Sequence, residues 1–262
     1  MSFYLFFIYP DLKDILLEEL RRKHPKLRLS FSNKEVLSMK GPEHYDVHLR
    51  RHPLVFASRM ALFKGKSEVK DKYSVQMKEN EYWHYHPIKT PSDTLDLGSV
   101  EKPEAAPSRA WHKIEEATRL FDWEIKKDEI VIEIGSAPGG ISHFLIEKGV
   151  ELYAVDPAEM DSSLEGFKHI KESVFDIDRR DLPTHCDWLI SDLNLKGDLN
   201  IVQCRRIASY YANLKGGFLT IKTPKAFDAK HMKKWASEFS EFKTYLFHLP
   251  SHRREIGLFF VR

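Results

Sequence analysis

The chain has 262 residues, 42% of them hydrophobic and 31% charged, with 41 Lys and Arg against 39 Asp and Glu. That length suits one catalytic domain with a smaller companion. A mean hydropathy of -0.45 and the lack of any apolar run of about 20 residues exclude a membrane-spanning helix. Two cysteines, Cys186 and Cys204, are too few for a disulfide framework and fit a reducing cytoplasm, and no cysteine cluster has zinc-site spacing. The apolar opening at 3–9 lacks a basic lead-in and a small-residue cleavage site, so it reads as a strand rather than a signal peptide. Charge is unevenly spread. Residues 1–91 hold 17 Lys and Arg against 11 Asp and Glu, and the remainder holds 24 against 28. A basic small domain beside a mildly acidic larger one suits a polyanion-binding adaptor on an enzyme, and ordinary surface variation explains it equally well.

In chain order, the first strand is followed by an amphipathic helix over 11–23, with Pro10 near its start and Leu12, Ile15, Leu16 and Leu20 on one face. Strands at 27–31 and 35–39, a helix at 42–51 and a strand at 54–63 complete a β-α-β-β-α-β order, which predicts a small α+β ferredoxin-like domain over 1–66. Lys and Arg crowd 21–28 and 64–72 and could grip phosphates, although such runs are more often a solvated face. Residues 67–107 are expected to form an extension and a linker. Within them the aromatics of 82–86 could stack on bases, but packing between the domains is the favoured expectation. The three prolines of 90–107 mark the linker itself.

From residue 108 strands and helices alternate. Helices are expected at 108–121, 140–148, 199–214 and 229–239. Strands are expected at 130–134, 152–155, 169–173, 188–191 and 218–222, with a closing pair at 244–248 and 255–261. This pattern predicts an α/β Rossmann-like doubly wound sheet with one antiparallel strand over 108–262.

Two constellations carry chemistry. The first is the turn Gly135-Ser136-Ala137-Pro138-Gly139-Gly140, which joins a strand to a helix. Its glycines permit positive φ and close approach of a ligand. Asp156, at the end of the next strand, can accept hydrogen bonds from ribose hydroxyls, and Asp176 can meet an adenine amino group. The dinucleotide GxGxxG pattern is absent and Pro138 interrupts the N–H array, so a ligand without a pyrophosphate, such as S-adenosylmethionine, fits better. The second is a set of four charges. Asp192 and Lys222 end buried strands, and Glu255 begins a strand that reaches the same edge if it runs antiparallel. Lys113 borders the apolar stripe of Ala110, Ala117 and Leu120. Taken singly, a turn Asp, a snorkelling Lys, a Glu paired with Arg253 or Arg254, and a surface Lys are ordinary readings. All four meeting beside a cofactor turn is harder to dismiss.

Together the turn and Lys113, Asp192, Lys222 and Glu255 resemble the Lys-Asp-Lys-Glu tetrad of the FtsJ-like (RrmJ-type) RNA 2′-O-methyltransferases. Ala106-Pro107-Ser108-Arg109, Leu152–Asp156 with Met160, and His252–Glu255 draw the likeness toward the branch that modifies a cytidine of 23S ribosomal RNA. The likeness covers 103–262 well and is looser over 3–19 and 52–59. That branch carries an RNA-binding THUMP domain for which the stretch between Lys64 and Pro107 is too short. The resemblance implies a cytoplasmic enzyme that uses S-adenosylmethionine to methylate the ribose of RNA, with 23S rRNA or a large-subunit precursor as partner and no metal. Lys222, with Lys113 beside it, acts as base or holds the 2′-oxygen, while Asp192 and Glu255 orient the lysines. Arg253, Arg254, Lys225, Lys230 and Lys233 meet the RNA backbone or are plain surface charges. The rivals are a catalytically inactive RNA-binding or ribosome-assembly factor, and a methyltransferase for small molecules or proteins.

Overall fold

The structure, a computed structural model, describes residues 1–8, 12–51, 54, 56–89, 97, 100–223, 229–252 and 254–262. Several expectations therefore lie outside the described residues: the break at Pro10, most of the linker at 90–99, and the parts assigned to Lys225 and Arg253. The chain divides into two compact units, Met1–Leu95 and Asp96–Arg262.

The first unit runs β1 (Ser2–Ile8), α1 (Lys13–Lys23), β2 (Arg28–Ser32), β3 (Val36–Gly41), α2 (Asp46–Arg51) and β4 (Ala57–Ser67), then β5 (Ser74–Lys78) and β6 (Glu81–Ile88). Its sheet has the order β2-β3-β1-β4-β6-β5, and every neighbouring pair is antiparallel. The expected boundary at residue 66 thus falls inside β4, and part of the expected extension is sheet. Trp83 and Tyr85 of β6 pack with Leu5, Phe7, Val36 and Ala61 in one apolar cluster. The Phe31 and Trp83 rings lie 5.2 Å apart. In a flat sheet β2 and β6 would stand roughly 19 Å apart, four strand spacings, so the sheet is rolled. Register shifts at Phe7/Ile8, Leu29/Phe31 and Phe63/Gly65 supply the bends. The aromatics of 82–86 are accounted for in this way: Trp83 and Tyr85 fill the inside of the roll, and His84 bonds Ser67 and Asp71.

The second unit holds α3 (Ala110–Phe121), β7 (Ile130–Ile134), α4 (Gly140–Glu147), β8 (Glu151–Val155), β9 (Phe167–Ile170), β10 (Trp188–Ser191), α5 (Gly197–Ala208), β11 (Gly216–Lys222), α6 (Ala229–Ser237), β12 (Lys243–Phe247) and β13 (Glu255–Val261). Its sheet has the order β12-β13-β11-β10-β7-β8-β9. β13 runs antiparallel to both neighbours, and the remaining pairs are parallel. This is the Rossmann-like sheet with one antiparallel strand. β8 and β9 lie on one side of β7, and β10, β11, β13 and β12 on the other. The order therefore reverses between β7 and β10, where such sheets bind ligands at the carboxyl ends of their strands. Trp111, Ile114 and Ala117 of α3 join Val131, Phe144, Trp188, Phe218 and Phe259 in the core. β9 ends three residues earlier than expected because Ser173 starts a turn, its carbonyl accepting from the Asp176 and Ile177 amides. Buried Asn200 of α5 ties two strands together: its amide donates to the Thr220 carbonyl at 2.8 Å, and its oxygen accepts from Ser191 at 3.1 Å. Among the described residues no helix is long and apolar enough to cross a membrane.

Candidate active site

The turn after β7 fixes the site. Gly135 has φ +77°, and a Cβ there would lie 2.9 Å from the Leu193 backbone. A side chain is excluded twice, by handedness and by contact. The same close approach brings the start of the loop after β10 against the turn, with the Asp192 amide donating to the Ile134 carbonyl at 3.0 Å.

Lys113 reaches in from α3. Its Nζ donates to Asp192 Oδ1 at 2.7 Å and Oδ2 at 3.0 Å, and stands 2.8 Å from Glu255 Oε1. Because β13 is antiparallel, Glu255 sits directly opposite Lys222 as the last pair of the β11–β13 ladder. Glu255 Oε2 accepts from Lys222 Nζ. The four charges thus form a chain, Asp192–Lys113–Glu255–Lys222, with Glu255 bridging both lysines. Thr220 adds an orienting hydrogen bond to Asp192 Oδ1.

Burial alone would lower the pKa of Lys113, but the carboxylates of Asp192 and Glu255 overcome it and raise that pKa above the ordinary lysine value. Burial would likewise raise Glu255, and the two lysines lower it instead. Lys113 is therefore held as a cation. The side chains differ in access: Lys113 is 11% exposed, Glu255 5% and Lys222 36%.

These residues line one cavity of about 570 Å³ together with Gly135, Ser136, Ala137 and Pro138 of the turn. The expected cofactor residues Gly139, Gly140, Asp156 and Asp176 are not among its lining residues. Gly140 packs against α3, where a Cβ would meet Ser108, and Gly139, with φ +114°, faces Leu164. Asp156 bonds its own turns instead, its carboxylate accepting from the Ala137 amide at 3.2 Å and the Ala158 amide at 2.8 Å. Asp176 is exposed on the turn after β9. Arg254, expected near the RNA backbone, does line the cavity, as do Glu133, Ser108, Arg109 and Ser251, to which sequence reasoning gave no part in the site. Glu133 is 1% exposed and accepts from Ser142 at 2.5 Å, and burial pushes its pKa up to about 8. One acid inside the apolar strand Ile130–Ile134 was the available signal, since a buried carboxyl needs a reason.

A glycine turn at a switch point, beside a lysine–carboxylate chain, defines a nucleotide-cofactor transferase of the Rossmann-like class. The FtsJ-like methyltransferase family model matches residues 106–253, more than half of the chain. The chain belongs to that family, whose methyl donor is S-adenosylmethionine. It is 33% identical over 122 residues to the Ribosomal RNA large subunit methyltransferase M of Histophilus somni, covering 44% of this chain and 32% of that one. The enzyme of the same name from Laribacter hongkongensis is 35% identical over 109 residues, covering 38% and 30%. That of Chromohalobacter salexigens is 32% identical over 106 residues, covering 37% and 30%. The chain thus matches about a third of the length of these curated relatives.

The residues present fit the cofactor. Gly135, Ser136, Ala137 and Pro138 line the cavity, the buried Ser136 hydroxyl has no hydrogen-bond partner among the described residues, and Glu133 offers a carboxyl to an ammonium.

Proposed function

We propose that the chain catalyses S-adenosylmethionine-dependent 2′-O-methylation of ribose in RNA, with a cytidine of 23S ribosomal RNA as its target. The observation that carries this reading is Glu255 bridging two lysines, one buried and one accessible, at the edge of the cofactor cavity.

A ribose hydroxyl is a poor nucleophile at neutral pH, so its proton must be taken or its oxygen held in place. The bound cofactor supplies an electrophilic methyl group on a sulfonium. The turn Gly135–Pro138, with Ser136 and Glu133, holds that cofactor. Lys113, fixed as a cation by two carboxylates, supplies constant positive charge where the alkoxide develops. Lys222 is the more accessible lysine and meets the hydroxyl, with Glu255 fixing its direction. Most of the acceleration comes from aligning oxygen, methyl and sulfur, which this rigid charge chain favours. Arg109 and Arg254 are exposed at the same cavity and suit flanking phosphates. The basic first unit, read as a ferredoxin-like sheet extended by two strands, serves as RNA adaptor, and the enzyme works in the cytoplasm where ribosomal RNA is processed.

The test is transfer of labelled methyl from S-adenosylmethionine to ribosomal RNA from cells lacking this protein, followed by digestion to nucleosides. Label on a 2′-O-methylcytidine of 23S rRNA is the expected result. Label on a base overturns the reaction class, and label on 16S rRNA alone overturns the substrate.

A further inference from the structure

A second cavity, also about 570 Å³, adjoins the first. Asn194, Lys196, Leu199, Lys222, His231 and Trp235 are among its lining residues, and among the described residues Lys222 alone borders both cavities. The loop after β10 links the two. It leaves the first cavity at Asp192, passes Asn194 at the second, and pairs Lys196 with Lys222 in an isolated parallel bridge.

We propose that this second cavity takes the base of the nucleotide whose 2′-hydroxyl is presented to Lys222. The inference rests on the methyltransferase reading above. If the ribose meets Lys222, the space open to its base on the side of Lys222 away from the cofactor turn is this one. The cavity's chemistry suits a single unstacked base. RNA is read mainly through splayed bases, held by apolar or aromatic surfaces and hydrogen-bonded at their edges. The indole of Trp235 lies close against the start of α5, where a Cβ on Gly197 would come within 2.5 Å of it. Its Nε1 donates to Asp198 at 2.7 Å and the residue is 1% exposed, so the ring is a fixed buried floor under the cavity rather than an open stacking face. Leu199 is 44% exposed and adds apolar surface. Asn194 offers both a donor and an acceptor for the base edge. Charge agrees: Lys196 and Lys222 border the space, while Asp198 is tied to Trp235 and to Lys234 at 3.1 Å.

Wild type, Asn194→Leu, Leu199→Glu and His231→Ala are compared in steady-state methylation of ribosomal RNA from cells lacking the protein. Asn194 and Leu199 are exposed, so their variants fold. At least a tenfold fall in kcat/KM for RNA is expected, with unchanged cofactor affinity and melting temperature. Values for RNA within twofold of wild type in all three variants overturn the proposal, as does an equal loss of cofactor affinity. In parallel, 23S ribosomal RNA transcribed with photoreactive 5-iodocytidine in place of cytidine is cross-linked to the full chain, and the attached peptides are mapped. Cross-links within 194–199 or 229–235 are expected, and cross-links confined to other segments overturn the assignment. A wild type that moves no methyl to RNA sinks the methyltransferase reading itself, which separates that failure from failure of the base site.

Discussion

Lys113→Met removes the ammonium that neutralises Asp192 and Glu255 and leaves a thioether of similar length. Lys113 is buried and lies within 2.8 Å of both carboxylates. After the change the buried Glu255 and the partly buried Asp192 share a single cation, Lys222, which contacts Glu255 alone of the two. Breaking a buried ion pair by removing one partner costs about 3–5 kcal/mol, because the charge left behind is unpaired. For a unit the size of Asp96–Arg262, each kcal/mol moves the melting temperature by about 2–4 °C, so a fall of roughly 6–20 °C is expected. Thermal unfolding followed by circular dichroism measures it, with Lys113→Met/Asp192→Asn as the companion. Neutralising Asp192 removes one orphaned charge, so the double variant should melt above the single one. A single variant within about 2 °C of wild type, or a double variant that melts lower, refutes the idea that Lys113 acts through this charge chain.

Gly135→Ala places a methyl at φ +77° and 2.9 Å from backbone. The handedness penalty alone is about 1–2 kcal/mol, and loss of S-adenosylmethionine affinity by calorimetry should accompany it; unchanged affinity and stability would show that the turn does not shape the cofactor site. Burial pushes the Glu116 carboxyl up to about 7, while hydrogen bonds from the Ser251 amide and hydroxyl oppose the shift. The native state therefore keeps this proton between the unfolded value of 4.5 and about 7, where the unfolded chain has lost it, so stability falls as pH rises through that window, by about 3 kcal/mol in all. Glu116→Gln keeps an acceptor for Ser251 and removes the slope; a melting-temperature difference from wild type that stays flat from pH 5 to about 8 refutes this linkage.

Much of the second unit is legible in the sequence because each signal is local. Strands β7, β10 and β13 are short apolar runs ended by Gly135, Asp192 and Arg262. The convergence of Lys222 and Glu255 follows from one topological fact, the antiparallel direction of β13. Other features depend on three-dimensional detail. The spacing from Gly135 puts Asp156 at a strand end, but only the structure reveals that its oxygens accept from Ala137 and Ala158. β5 and β6 were hidden in an extension, although the aromatic alternation of Glu81–Ile88 after the tight turn at Asn80, with φ 56°, is a hairpin pattern. Trp83 looked like an interdomain residue because nothing local announces that a sheet will roll until β2 meets β6. Glu133 was passed over as one acid in an apolar strand, and its buried, proton-retaining character exists only once the core surrounds it, the Ser142 hydrogen bond opposing the shift.

The central claim is that an accessible lysine held by Glu255 acts on the acceptor hydroxyl while the cofactor is bound elsewhere in the cavity. The most direct measurement compares wild type with Lys222→Met for methyl transfer to ribosomal RNA, with S-adenosylmethionine affinity and melting temperature measured on the same samples. Lys222 is 36% exposed, so its loss should change stability by no more than about 1 kcal/mol. The account predicts a fall in kcat of about 10²–10⁴, the range for removing a positioned acid–base group, with cofactor affinity retained. A variant that transfers methyl groups at the wild-type rate would contradict it.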